Sequence, residues 1–345
     1  MGIMDDLQGK SLAEIEQFCK ELGLKPFKAK ELFRFINQKF GTDLEQLSTI
    51  KQVERELLKS KFFISAITPA KIQQSQAVEK AAFQLADGKI IETVFMDNKE
   101  NLKTICVSSQ VGCPIGCQFC TTGQLGFTRN LTCTEILSQV YYFAKKFRIS
   151  NIVFMGMGEP FLNYDNVLKA GKILNHDLGL NIASRKIVYS TVGIIAGLEK
   201  FSQEKEQFRL AWSLASPFDS IREKLVPFKG LKPIAETIKT MKEYQAKTKR
   251  RITIEYVLLK GINDNQADIE ALAHIAKSID SYINLITYNP SPNSPFKAVN
   301  PNQAFQTLKK YRLVVTVRKS LGQEISAACG QLGTADCNQE NSLLK

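Results

Sequence analysis

Residues 106–126, "CVSSQVGCPIGCQFCTTGQLG", hold four of the chain's eight cysteines. Cys113, Cys117 and Cys120 are spaced C-x3-C-x2-C, close enough to ligate one metal centre from one loop. Gly112, Gly116 and Gly123 let the backbone bend around a bulky group there. Three thiolates satisfy three irons of a four-iron cluster and leave the fourth open to a ligand, whereas a fourth protein thiolate would make a closed, structural site. Cys133 is the rival fourth ligand, because C-x3-C-x2-C-x12-C also reads as a four-thiolate zinc module. It follows Thr132 in "TCTE", however, a capping-box pattern that places it in the first turn of the next helix. The open iron–sulfur site is preferred over zinc, and either over buried, inert thiols. Far away, Cys329 in "SAACGQLG" is a candidate nucleophile, while Cys106 reads on its own as a buried strand residue.

Composition sets the context for these thiols. A chain of 345 residues, 44% hydrophobic and 23% charged, can bury a large core and carry appendages. No stretch approaches the ~20 apolar residues that a membrane helix needs. The N-terminus, "MGIMDDLQGK", carries acidic residues where a signal peptide would be basic and then apolar. The expected compartment is the cytoplasm, whose reducing conditions favour metal binding or catalysis over a disulfide framework. Lys and Arg number 46 against 34 Asp and Glu, a formal net charge of +12. That excess suits either a polyanionic partner or a generally basic enzyme.

Several elements must position the cysteines. "SLAEIEQFCKELG" opens on the cap-like Ser11 with Glu14 three residues on, and "KPFKAKELFRFINQKF" repeats apolar residues at helical spacing. Lys25, Lys28, Lys30, Arg34 and Lys39 lie on the latter as a solvated face or a phosphate-gripping one. "VEKAAFQLADGKIIETVFM" predicts two strands turning at Asp87-Gly88. From residue 103 short apolar runs alternate with helical stretches: "KTICVS", "NIVFMG", "KIVYST", "FRLAWSL", "ITIEYVLL" and "INLITY". Six such units predict an α/β fold with a parallel sheet closed only part of the way to a barrel, and "RLVVTVRKS" adds a strand. The division expected is a helical N-terminal domain over 1–75, a β-hairpin joint over 76–102, a partial (βα)6 barrel over 103–312, and a C-terminal extension over 313–345 with strand, cysteine loop and polar tail. Chemically able residues follow each strand, as at the active rim of a parallel barrel. Cys337 falls in the polar tail and reads as idle.

C-x3-C-x2-C with Phe119 before the last cysteine is the hallmark of radical S-adenosylmethionine enzymes. With "CVSSQVGC", "FMGMGEP", "YNP" and "ISAACGQL", the chain resembles, along nearly its whole length, the RlmN/Cfr family of RNA methyltransferases. "GMGEP" resembles the RlmN branch, which methylates C2 of an adenosine in 23S rRNA and in some relatives also modifies tRNA. The Cfr branch modifies C8.

The resemblance implies a radical S-adenosylmethionine barrel with an RNA-binding helical domain, one 4Fe-4S cluster on Cys113, Cys117 and Cys120, and two S-adenosylmethionine molecules per turnover. Gly158 and Glu159 match the cofactor's methionine end; Ser190, Ser213, Leu214, Ala215 and Asn289 match its other contacts. Cys329 matches the cysteine that accepts a methyl group, and Cys106 the one that frees the product through a transient disulfide. Glu92 matches the family's proton acceptor. The implied partners are 23S rRNA, tRNA as a second substrate, and an electron donor such as flavodoxin or ferredoxin; a monomer without membrane attachment is expected. Ala215 stands where the family usually has histidine ("SLASP" for "SLHAP"). The contrasting class is a non-catalytic RNA-binding protein with a zinc or redox centre.

Overall fold

A computed structural model describes residues 4–98, 102–290, 294–318 and 320–333; Cys337 and the polar tail lie outside them. The N-terminal part begins with β1 (Asp5–Asp6), which pairs in parallel with β2 (Phe62–Phe63). Between them run α1 (Leu12–Glu21), α2 (Pro26–Asn37) and α3 (Gln52–Lys59). The capping box at Ser11 and Glu14 forms as its spacing predicts, and Pro26 opens α2, where a missing N–H costs nothing. Ile15, Leu32, Phe33 and Ile36 fill a core that continues into the rest of the molecule.

Ten strands form one mixed sheet: β3 (Pro69–Ser75), β4 (Val78–Gln84), β5 (Ile90–Asn98), β6 (Leu102–Cys106), β9 (Asn151–Phe154), β10 (Ile187–Thr191), β11 (Arg209–Ser213), β12 (Ile252–Leu258), β13 (Ser281–Thr287) and β14 (Val315–Arg318). Its order is β14-β13-β12-β11-β10-β9-β6-β5-β4-β3. From β6 to β14 every neighbour pair is parallel, so the predicted six units and the additional strand all take their places. β3 to β6 are antiparallel, and β4 and β5 turn at Asp87-Gly88, with Gly88 at φ +77°. β3 and β14 are free edges, which makes the barrel partial. β3 lies inside the segment expected to be helical. Its "PAKIQQS" has little apolar alternation, because an edge strand exposed over most of its length buries little.

Two small strands, β7 (Gln110–Gly112) and β8 (Phe127–Asn130), bracket the cysteine loop with α4 (Thr121–Gln124) between them. The crossover helices are α5 (Cys133–Ala144), α6 (Tyr164–Asn175), α7 (Ile195–Phe201), α8 (Asp219–Leu225), α9 (Ile234–Thr248), α10 (Gln266–Ser278) and α11 (Asn302–Lys310). α5 buries Ile136, Leu137, Val140 and Phe143 against the sheet and joins the N-terminal part through Tyr141, whose hydroxyl donates to Asn37 Oδ1 at 2.6 Å. Among the described residues no helix is long and apolar enough to cross a membrane.

Candidate active site

The carboxyl ends of β9 to β13 open on one cavity. Cys113, Cys117 and Cys120 line it together with Gly158, Glu159, Ser190, Ser213, Ala215, Asn289 and Cys329. The cysteine loop can fold so tightly because of its glycines. A Cβ at Gly112 would lie 1.9 Å from the Gly126 carbonyl oxygen, and one at Gly123 would lie 2.8 Å from the Cys117 backbone. Gly112 and Gly116 also sit at φ +73°, where a side chain is strained.

The three thiols fit an open cluster. All are free. Burial pushes the Cys113 thiol up to about 12 and raises Cys117 and Cys120 as well, with mutual repulsion adding to the effect on Cys117. Thiolates in such a place need a bound cation to offset desolvation and repulsion, which is the demand a metal centre meets. Tetrahedral zinc would draw sulfurs to within roughly 4 Å of one another, whereas a cube of irons takes its thiolates at separate corners. Cys133 opens α5 behind the capping box of Thr132 and Glu135, buried in the core and beside Gly9. It does not line the cavity, so the four-thiolate zinc arrangement does not form.

The Glu159 carboxylate, expected at the cofactor's methionine end, is held by backbone donors. Glu159 Oε1 accepts from the Phe161 N–H and Oε2 from the Val192 N–H, each at 3.0 Å, and the Glu159 N–H donates to Gln110 Oε1 at 2.8 Å. Burial nevertheless pushes the Glu159 carboxyl up to about 7, so a cationic ligand group would complete the site. Opposite it, the Ser190 and Ser213 hydroxyls lie 3.0 Å apart. Ala215 faces the cavity at φ +64°, with its carbonyl fixed by Asn263 Nδ2 at 2.7 Å. The place of the family's usual histidine therefore holds only a methyl group. Leu214 departs from its expected place: its side chain is fully buried in the core and does not line the cavity.

A second hollow adjoins the first, walled by Cys106, Cys120, Met155, Asn289, Arg318 and Cys329. Cys106 and Cys329, 223 positions apart in sequence, thus share one wall. The Cys329 segment is tied down on several sides. Asn289 Nδ2 donates to the Cys329 carbonyl at 3.2 Å, the Thr121 N–H to the Gly330 carbonyl at 2.8 Å, and Thr122 Oγ1 to the Leu332 carbonyl at 2.7 Å. Burial pushes the Cys106 thiol up to about 12, with nearby Cys329 adding to the rise and Arg318 opposing it. Arg318, which donates from Nη1 to Met155 Sδ at 3.4 Å, was not singled out from sequence. It sits in "VRKS" as one basic residue among many.

Glu92 stands elsewhere than a cavity-lining base would. It is buried, lines neither hollow, and pairs with Lys80 at 3.0 Å while accepting from the Gly333 N–H. The basic face of α2 also needs correction. Lys28 is buried and paired with Glu54, and Arg34 bonds Glu31 at 2.9 Å. Lys25, Lys30 and Lys39 are exposed, as is Phe27, whose ring carries the Lys28 ammonium 5.8 Å from its centroid. Exposed cations can hold phosphates, and an exposed aromatic ring can stack a base. Reversing Lys25, Lys30 and Lys39 together is expected to flatten the salt dependence of RNA binding by roughly 0.7–0.9 in slope for each phosphate they would neutralise. Lys28→Glu should instead lower the melting temperature, because it sets two carboxylates against each other. Equal slopes before and after the triple reversal would make this a merely solvated face.

Comparisons with known proteins fit this geometry. The model of the radical SAM superfamily matches residues 107–273, and that of the ribosomal RNA large subunit methyltransferase N-terminal domain matches residues 5–64. A crystal structure of a radical SAM methyltransferase from Sphaerobacter thermophilus superposes with a TM-score of 0.90 at 37% identity, covering 95% of this chain and 99% of that one. Fold and site together define a radical S-adenosylmethionine methyltransferase, a class that implies a 4Fe-4S cluster and S-adenosylmethionine. The chain is 38% identical to "Probable dual-specificity RNA methyltransferase RlmN" of Aquifex aeolicus, with 96% of this chain and 98% of that one covered. It is 36% identical to "Ribosomal RNA large subunit methyltransferase N" of Nitrosopumilus maritimus, covering 96% and 99%. The chain belongs to the RlmN family of RNA methyltransferases.

Proposed function

We propose that this enzyme methylates C2 of adenosine 2503 in 23S rRNA and of adenosine 37 in tRNA, the two targets consistent with its family. The observation that carries this reading is the wall shared by Cys106 and Cys329 beside cluster-side Cys120. C2 of adenine is electron-poor and offers no nucleophile to a methyl sulfonium, so a methyl group must first be parked elsewhere. A thiol next to the cofactor cavity, with a second thiol in reach to end the covalent stage, suits that need.

Cys113, Cys117 and Cys120 would hold the cluster. When bound, that centre supplies an electron for reductive cleavage of the sulfonium. Gly158 and Glu159 would receive the cofactor's methionine end, with Ser190, Ser213, Ala215 and Asn289 along the rest. In this reading Leu214 contributes only through its backbone. Cys329 accepts the methyl group, Cys106 pairs with it to free the product, and Glu92 takes up the proton. One cofactor molecule donates the methyl group and a second the radical chemistry. The electron comes from a small donor protein such as flavodoxin or ferredoxin, and the enzyme acts as a cytoplasmic monomer.

The test is mass spectrometry of nucleosides released from rRNA and tRNA fragments after anaerobic assay. 2-Methyladenosine from both is expected. 8-Methyladenosine would replace the regiochemistry proposed, and product from rRNA alone would remove the tRNA half.

A further inference from the structure

Lys80 belongs to no motif and no assigned site, yet its place is unusual. It sits mid-strand in β4 with its side chain 1% exposed, and its ammonium meets Glu92 Oε1 at 3.0 Å; the Glu92 side chain is 3% exposed. Burying a lysine costs several kcal/mol unless it is paired, and replacing such a pair with apolar residues often does no harm to stability. A buried pair is therefore better read for what else it holds. Lys80 Nζ also donates to the Ser326 carbonyl at 3.3 Å, and Glu92 Oε2 accepts from the Gly333 N–H. Ser326 and Gly333 flank Cys329. One ion pair, rooted in two paired strands of the sheet where Ala82 stands opposite Glu92, thus grips the cysteine segment at both ends.

We propose that Lys80 is a positioning residue, and that the Lys80–Glu92 pair is a latch that sets the place of the Cys329 segment over the cavity. Glu92 has both oxygens engaged while the segment is closed, one by a strand and one by the segment itself. The Gly333 hydrogen bond to Glu92 and the Ser326 hydrogen bond from Lys80 can both open without disturbing the sheet, because neither belongs to the pairing of β4 with β5. Lys80 then keeps the carboxylate oriented as the segment moves, so that Glu92 becomes free on the side where Gly333 had been. This ties availability of the carboxylate to movement of the segment that carries the methyl-accepting thiol. The inference rests on the roles proposed for Cys329 and Glu92, but its test is chosen to stand apart from them.

The experiment is alkylation of the anaerobic, cluster-loaded protein with N-ethylmaleimide, followed by peptide mass spectrometry. Losing a hydrogen bond to a charged group shifts a local equilibrium by about tenfold, so Lys80→Met should raise the alkylation rate of Cys329 by about that factor. Buried Cys19 and Cys133 should stay protected, reporting an intact core. Lys80→Arg should bring the rate back toward wild type. If Lys80→Met fails to fold and exposes Cys19 and Cys133, the double variant Lys80→Met/Glu92→Met leaves no charge buried alone, and Cys329 should still react about tenfold faster in it. An unchanged Cys329 rate in a folded variant, single or double, overturns the latch. Glu92→Gln separates the two readings: retained RNA methylation would remove the proton-acceptor role, and the alkylation rates in the Lys80 variants would still decide the latch.

Discussion

Cys113→Ala is expected to abolish iron binding and with it every later step. The three thiols come from one loop and line one cavity, so none has a spare to replace it, and Cys133 stands outside the cavity in the first turn of α5. Losing a partner that merely orients a ligand already costs 10–100-fold in many metal sites; losing a ligand should cost more. Iron and acid-labile sulfide in anaerobically reconstituted protein should fall from about four of each to near zero. Production of 5′-deoxyadenosine should fall by more than about 100-fold. The fold should hold, since Cys113 is partly exposed and the loop is shaped by Gly112, Gly123 and the β7–β8 pair rather than by the thiol. Wild-type rates of 5′-deoxyadenosine formation in the variant would show that Cys113 is not a ligand.

Much of this was legible because local rules act over short distances. The strand and helix alternation from 103 onward needs only hydrophobic runs, and each run became a parallel strand in chain order. The triad needs only its spacing and glycines. What sequence could not reach depends on long-range neighbours. Lys28 and Arg34 look like Lys25 and Lys30 in one dimension, yet Glu54, a residue of the next helix, removes the first from solvent. Glu92 reads as an ordinary strand carboxylate until Lys80, across the β4–β5 pairing, and Gly333, 241 positions away, are seen to share it. β3 hid because an exposed edge strand has little reason to alternate. Leu214 shows the opposite limit: a motif can place a residue beside a site while its side chain turns into the core.

The two distant cysteines should fail in different ways when removed singly. Cys329→Ala takes away the proposed methyl acceptor, so neither methylated protein nor methylated RNA should form, while Cys113, Cys117 and Cys120 should still bind iron. Cys106→Ala leaves that acceptor in place but removes the thiol proposed to complete release. Protein should then accumulate joined to RNA through a carbon bridge on Cys329. The geometry suits this split: both thiols line the same hollow, and burial, the chief cause, pushes the Cys106 thiol up to about 12, which keeps it largely protonated in the absence of RNA. Substituting Cys106 should not disturb the cluster loop, because Cys106 ends β6 whereas the loop is anchored by β7 and β8. On denaturing gels, Cys106→Ala protein after turnover should show a band shifted by RNA that nuclease removes, and the Cys106→Ala/Cys329→Ala double variant should not. Air oxidation should pair the two thiols in the wild type and suppress activity until a reductant is added. Normal RNA methylation by Cys106→Ala without a shifted band would leave Cys106 a buried strand residue and would assign release of the product to another group on the same wall.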